Sequence, residues 1–481
     1  MKKRIFKFLG IAVLAAILSV SLGCEENKTL PITGVTITPE VPVVYISDGN
    51  PGTLTLKAVV EGTKDQKVTW SILETDRNPG TVINESGELT VAYTETLKLL
   101  TIEATSAAIG KSGTVSVTIK TPDPFDITAS ELVAAMTIGW NLGNALDAWS
   151  SNNPDRDYSG LSVQSLETLW VSNRATQSLI TAVKNAGFNT IRIPVTWHKA
   201  ANANADYEIR ADWIDRVKEV VNYAAAADMY IILNTHHDEH IFKFTNSTVQ
   251  ASLIAFEKIW EQIAFAFKDY NEKLIFEGLN EPRTKGSTAE WTGGTAEERA
   301  NLNRYYKVFV DTVRSSGGNN GNRILMINTY AASGEAAAIN GLVLPTDTVP
   351  NKLIVSIHSY APDNFALRPT HTQTTWNNSG NDRSAITGRI DRAHTTFVSR
   401  GIPVIMGEFG STNKNNEAER AKHAEFYVEY AKGKGIKCIW WDNHGFGAPP
   451  STGENFGLIR RNNNEIVFPA LLQALMSGAT H

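Results

Sequence analysis

At 481 residues, with 42% hydrophobic and 20% charged positions and a mean hydropathy of −0.19, the chain has a folded, soluble composition and room for two or three domains. Its formal charge of −5 includes the cations Lys2, Lys3, Arg4 and Lys7, so the body is more acidic than the total and offers no basic surface for nucleic acid. Two cysteines, Cys24 and Cys438, support neither a disulfide framework nor a cysteine metal site.

The first segment is a targeting sequence. The basic residues at 2–7 precede an apolar stretch at 9–20 that is too short to cross a bilayer. Ser-Leu-Gly-Cys at 21–24 resembles a bacterial lipoprotein lipobox, with Ser21 where an aliphatic residue is usual. That resemblance implies a signal peptide over 1–23, lipid on Cys24, and an extracytoplasmic protein anchored to the outer membrane. Glu25 and Glu26 resemble the acidic export tag of Bacteroidetes surface lipoproteins, which implies the cell surface. Residues 24–33 read as a tether.

From 34 to 120 the texture is all-β. Runs at 35–38, 53–60, 68–72, 88–91, 100–105 and 113–119 alternate or carry β-branched residues, and turns rich in Gly, Asn and Pro separate them. Such short strands over this length predict an immunoglobulin-like sandwich. Val68-Thr-Trp-Ser, Ser86-Gly-Glu-Leu-Thr-Val and Ile102-Glu-Ala-Thr-Ser resemble bacterial Ig-like group 2 modules, and Trp70 falls in the core register of its strand. The module reads as a spacer. Pro122 and Pro124 stiffen a linker over 121–126.

Beyond the linker, over 127–481, strands alternate with helices. Buried-strand patterns occur at 136–140, 190–194, 230–234, 274–278, 324–328, 354–357, 404–407 and 437–441, with helices at 212–226, 249–267, 296–313 and 418–432. Eight such units predict a closed (β/α)₈ barrel, and no glycine-rich phosphate loop follows any strand. The predicted architecture is therefore multidomain, an all-β sandwich followed by an α/β barrel.

Functional groups in such a barrel gather where the strands end. Two glutamates stand there, Glu281 in Leu-Asn-Glu-Pro and Glu408 in Met-Gly-Glu-Phe-Gly. Burying either charge without a partner is costly, so packing explains them poorly, and two carboxylates are the minimum for cutting a glycosidic bond. Arg192, His236, His237, Asn280, His358, Tyr360 and Trp441 fall at the same rim, and Asn144 follows the first strand. The run His236-His237-Asp238-Glu239-His240 looks like a ligand cluster, yet neighbouring side chains at a strand end diverge, and no metal is expected.

This set resembles glycoside hydrolase family 5, through Asn280-Glu281-Pro282 and Gly407-Glu408-Phe409-Gly410 with Arg192, His236, His358, Tyr360 and Trp441 in support. Gly139-Trp-Asn-Leu-Gly-Asn144, Leu233-Asn-Thr-His-His237, His358-Ser-Tyr-Ala-Pro-Asp-Asn-Phe365 and Trp441-Asp-Asn443 are similar to its fourth subfamily, with Asp363 as a departure. The resemblance implies a retaining endo-β-1,4-glucanase acting on xyloglucan, mixed-linkage glucan or cellulose, without a cofactor. Glu408 would be the nucleophile, ionised beside Arg192 and Tyr360, and Glu281 the acid/base, with its pKa raised by Glu408. Asn280 would hold the sugar 2-hydroxyl, His358 would orient Glu281, His236 would contact the same sugar, and Trp441 would offer it an apolar face. Trp149 and Trp376 are further cleft candidates. An endo-β-1,4-mannanase and a non-catalytic surface glycan-binding protein are the alternatives, the second disfavoured by the presence of both glutamates. Partners are then the polysaccharide and, through the lipid, the membrane, with the protein a monomer.

Overall fold

The computed structural model describes residues 34–480, apart from 47–50, 107, 109, 121–124, 151, 154 and 155. The expected signal peptide, Cys24, the expected tether and most of the expected linker lie outside these residues.

Three small sheets form the N-terminal region. One is four-stranded, in the order Val43–Tyr45, Ser112–Lys120, Leu99–Ser106 and Val68–Ile72. A second joins Gly52–Thr55, Glu88–Val91 and Val82–Ile83, and a third pairs Val35–Thr38 with Lys57–Val60. Alternate residues of the longer strands, such as Leu100, Ile102, Ala104, Val115 and Val117, enter a shared core against which Trp70 packs. The run expected as one strand at 53–60 divides at Leu56. That residue is buried and its N–H bonds to the Gly87 carbonyl, so the chain changes sheets there. Gly87 has a φ of 79°, and a Cβ on it would meet the Leu56 carbonyl oxygen at 2.4 Å. The alternation continues through Leu56, which is why the pattern showed no break.

This region is seated on the flank of the second. The Tyr45 ring lies 5.2 Å from that of Tyr270, Lys120 Nζ donates to the Ala225 carbonyl, and Lys57 pairs with Asp215 at 3.2 Å.

The second region is a closed barrel of eight parallel strands in sequential order: Ile138–Leu142, Thr190–Ile193, Tyr230–Asn234, Leu274–Glu277, Leu325–Ser333, Leu353–His358, Val404–Phe409 and Ile436–Asp442. All eight expected strands are present. An outer helix follows each one, including Gln177–Asn185, Gly380–Thr396 and Pro469–Thr480, which the sequence pattern did not show.

The two-residue period of the strands sorts the lumen into layers. Ile232, Ile275, Met326, Ile354, Ile405 and Ile439 meet in one apolar layer, closed from below by Leu132, Val133 and Met136 at the helix Ala129–Ala135. A capping box between Thr128 and Glu131 starts that helix. Two residues further along the same strands stand Asn234, Glu277, Asn328 and Gly407, with Asn141 and Arg192 from the first two strands. The lumen therefore turns from hydrocarbon to polar in one step, and the polar end is open.

Candidate active site

Arg192 organises the polar layer and is fully buried. Its Nε donates to Glu277 at 2.6 Å, Nη1 to Glu408 at 2.8 Å and to Asn141 at 3.0 Å, and Nη2 to Asn280 Oδ1 at 2.7 Å. Glu277 also accepts from Asn234 and Asn328. One guanidinium thus joins two carboxylates in a low-dielectric site, with every acceptor matched, which is the condition under which buried charge is tolerated. Burial disfavours the cation, but Glu277 and Glu408 outweigh it and push the Arg192 proton affinity further up.

Glu408 lies on the seventh strand at the open end. Its second oxygen accepts from the Tyr360 hydroxyl at 2.8 Å and lies 3.6 Å from His358 Nδ1. Irregular pairing beside it, between Ile357 and His358 and between Met406 and Phe409, turns consecutive side chains toward the rim. Gly407 is required below it, because a Cβ there would meet Ser356 Oγ at 2.6 Å and His358 Nε2 at 3.0 Å. Burial and then the Glu408 charge hold the Tyr360 hydroxyl protonated, well above its ordinary range.

Glu281 faces Glu408 from beyond the fourth strand. The same His358 Nδ1 is 3.1 Å from Glu281 Oε1, and one oxygen of each carboxylate lies within 4.8 Å of the other. Arg283 Nη1 stands 3.3 Å from Glu281 Oε2. The expectation of a raised pKa for Glu281 is not met in this arrangement. Burial does raise it, but the hydrogen bond with His358 and the Arg283 charge outweigh burial and hold the carboxyl well below its usual range.

Aromatic walls flank the pair. The Trp441 and His236 rings are parallel, 2° apart in plane and 5.7 Å between centroids. Trp441 sits over Gly143, where a Cβ would be 2.7 Å from the indole. His236 Nε2 is 4.0 Å from Glu408, and burial, then the charges of His237, Arg192 and His358, keep its ring neutral. His237 packs edge-on to His236 and lies against Trp170, which is 41% exposed on the rim. Past Glu281 the cleft widens into a cavity of about 350 Å³ lined by Trp149, Glu239, His240, Lys243, Arg283 and Lys285.

The barrel is shared by known proteins. Residues 154–447 match the cellulase (glycosyl hydrolase family 5) model. Endoglucanase A of Clostridium longisporum is 42% identical over 73% of this chain and 66% of its own length, and endoglucanase A of Ruminococcus albus is 41% identical over 74% and 93%. The chain spans 41% of the cellulase/esterase CelE of Acetivibrio thermocellus, at 42% identity. Among solved structures, a GH5-4 broad specificity endoglucanase from Ruminococcus champanellensis with bound cellotriose has a TM-score of 0.68 and 45% identity, covering 73% of this chain and 99% of that one. The chain belongs to glycosyl hydrolase family 5.

Within this family 5 barrel, Arg192, His236, His237, Asn280, His358, Tyr360 and Trp441 converge on one cleft with Glu281 and Glu408, and Trp376 does not. Asn144 adopts a φ of 60° and serves the turn, its N–H bonding Asp147. Trp376 is buried against His423 and Phe426 and is committed to packing the helix Glu417–Gly433. Trp149 does reach the cleft wall, edge-on to His198. The side chains at 238–240 diverge as expected: Asp238 accepts from the N–H groups of Trp197 and His198, Glu239 pairs with Lys285 at 2.9 Å, and His240 lies beside Trp149. Among the described residues, Asp147, His236 and His237 also approach one another within 4.8 Å, but both Asp147 oxygens already accept backbone N–H groups.

Glu277, Arg283, Trp170 and Glu454 went unread in the sequence. Glu277 carried the same signal as Glu408, a carboxylate toward the end of an apolar strand and followed by a glycine or an aromatic residue. Glu454, on the loop after the eighth strand, is raised in proton affinity by burial and by facing Glu281 and Glu408.

Proposed function

We propose that the protein is a retaining endo-β-1,4-glucanase that hydrolyses β-glucan polysaccharides by double displacement. The observation that carries this reading is the pair Glu281 and Glu408, close enough to share His358 at the mouth of the barrel. A separation of about 5 Å suits a retaining enzyme, because an inverting pair stands roughly 6.5–9.5 Å apart to admit a water.

Glu408, held by Arg192 and the Tyr360 hydroxyl, attacks the anomeric carbon, for which it must be a carboxylate. The glycosidic carbon–oxygen bond breaks, and Glu281, which must first be protonated against the pull of His358 and Arg283, passes that proton to the departing oxygen. The resulting glycosyl ester removes the charge of Glu408. Glu281, now a carboxylate, takes a proton from water, the oxygen of that water attacks the anomeric carbon, and Glu408 leaves as the carboxylate. Asn280, whose Oδ1 is held by Arg192, keeps its amide N–H groups for the sugar 2-hydroxyl, a bond that strengthens as positive charge develops on the ring. Trp441 offers the pyranose an apolar face, with His236 parallel to it. Relatives named as broad-specificity endoglucanases support a β-glucan rather than a mannan.

The N-terminal region, 34–120, is proposed as an Ig-like module joined through 121–126 to a catalytic domain over 127–481. Its short strands around a common apolar core support this. The lipobox-like Ser21–Cys24 segment supports a lipid anchor on Cys24 and a place at the outer membrane surface.

The test is reducing-end release from xyloglucan, barley mixed-linkage glucan, carboxymethylcellulose and mannan, with NMR of the first-formed anomer. Hydrolysis of the glucans with β-anomer retained is expected, and Glu408→Gln and Glu281→Gln are each expected to abolish it with the fold intact. Inverted product, preference for mannan, or near-normal turnover by either variant overturns the reading.

A further inference from the structure

Glu281 has one oxygen occupied by His358, which leaves Oε2 as the atom to carry a proton toward a glycosidic oxygen. That atom faces a cation. Arg283 Nη1 stands 3.3 Å from it, and the same nitrogen donates to the Glu281 carbonyl at 2.8 Å, so the guanidinium is clipped to the backbone of the residue it influences. Its Nε bonds Glu290 at 3.1 Å, Glu290 in turn accepts from the Gly286 N–H at 2.7 Å, and the guanidinium lies 4.6 Å over the ring of Trp291. Only 11% of the Arg283 side chain is exposed. An arginine anchored on three sides has little freedom to leave, and its planar fork keeps its aim.

We infer that Arg283 is a positioning residue for the reaction proposed above: held by Glu290 and Trp291 against the unoccupied oxygen of Glu281, it sets the pH at which the proton donor loses its proton. The inference rests on that reading of Glu281.

Other charges face the same carboxyl. Glu408 comes from the seventh strand and Glu454 from the loop after the eighth, both favouring the protonated form. His358 comes from the sixth strand and His237 from the loop after the third, both favouring the anion. The Tyr360 hydroxyl also lies within electrostatic reach. Arg283 itself is shared with Glu239, 3.6 Å away, and that carboxylate is engaged by Lys285. Arg283 is the cation that stands against Oε2, and a guanidinium keeps its charge throughout the working pH range.

The direction follows. In a retaining glycosidase the nucleophile must be ionised and the donor protonated, so the alkaline limb of the pH profile reports the donor. Arg283→Gln removes the cation beside Oε2, and the limb of kcat/KM on β-glucan is expected to move to higher pH by about one unit or more, in line with an opposite charge at this distance. Arg283→Lys keeps a charge and is expected to hold the limb near the wild-type position. Glu290→Gln keeps an oxygen to accept from Arg283 Nε but takes away the anion that competes for its charge, and is expected to move the limb down. An aryl cellobioside whose leaving group needs no proton should show little of the shift in its first step, which separates an effect on the donor from a loss of sugar binding.

An unmoved limb in folded Arg283→Gln, or a change confined to KM, overturns the inference while active wild-type enzyme keeps the functional reading. If Arg283→Gln does not fold, Glu290→Gln decides: an unmoved or rising limb overturns the proposal. Inactive wild-type protein overturns both.

Discussion

The two ends of the barrel lumen are made from the same strands, two residues apart, and differ in everything else. At the closed end, isoleucines and methionines pack under a capped helix. At the open end, Arg192, Glu277, Glu281 and Glu408 are packed together with their hydrogen bonds matched one by one. The first end is stabilised by area removed from water, which tolerates small displacements. The second is stabilised by partners, and it fails when one is removed, because the partner left behind is a buried charge. A barrel can thus hold a reactive carboxylate pair at one mouth because the other mouth carries the packing.

The largest effect is expected where a charge is orphaned. Arg192→Met leaves Glu277 and Glu408 buried together, and chemical denaturation is expected to show a loss of about 3–5 kcal/mol with hydrolysis abolished. A stability change under about 1 kcal/mol would erase the contrast between the ends. Ile405→Ala at the closed end is expected to lose about 2–5 kcal/mol by opening a cavity, while kcat and KM measured on folded protein stay at wild-type values.

The ends also differ in their response to acid. His423, buried under the open rim with Nε2 2.8 Å from the Ala361 carbonyl, is lowered to about 4, first by burial and then by the Arg420 charge. A group depressed in the folded state contributes stability that is complete above its unfolded value, about 6.5, and is lost as pH falls toward 4. The melting temperature is expected to drop across that window, and less steeply in His423→Gln. Equal slopes would remove His423 from the account. The smallest effect is expected at the plug: Thr128→Ala removes one capping bond and is expected to cost about 1 kcal/mol at all pH values where the helix is otherwise intact.

Much of the barrel was legible because a parallel strand buried on both faces leaves a short unbroken apolar run, and all eight runs ended within a few residues of the observed strands. Glycine or proline at the end of a run then marked Glu281 and Glu408. What stayed illegible depended on partners distant in sequence. Nothing in Glu-Pro-Arg indicates that Arg283 folds back on Glu281, so the sign of its electrostatics was misread. Trp376 looked like a cleft residue because tryptophans near a rim often are, and only the path of the 366–380 segment turns it onto His423. Glu277 was passed over because a strand residue facing the lumen and one facing the helices have the same sequence texture when both faces are buried.

The seat of the N-terminal sheets has a mechanical consequence. Lys57 and Lys120 both grip the helix Ala211–Ala226 or the turn that ends it, while Tyr45 wedges against Tyr270 beside it. Load on the N-terminal sheets therefore meets an outer helix before it meets the strands that aim Glu281 and Glu408.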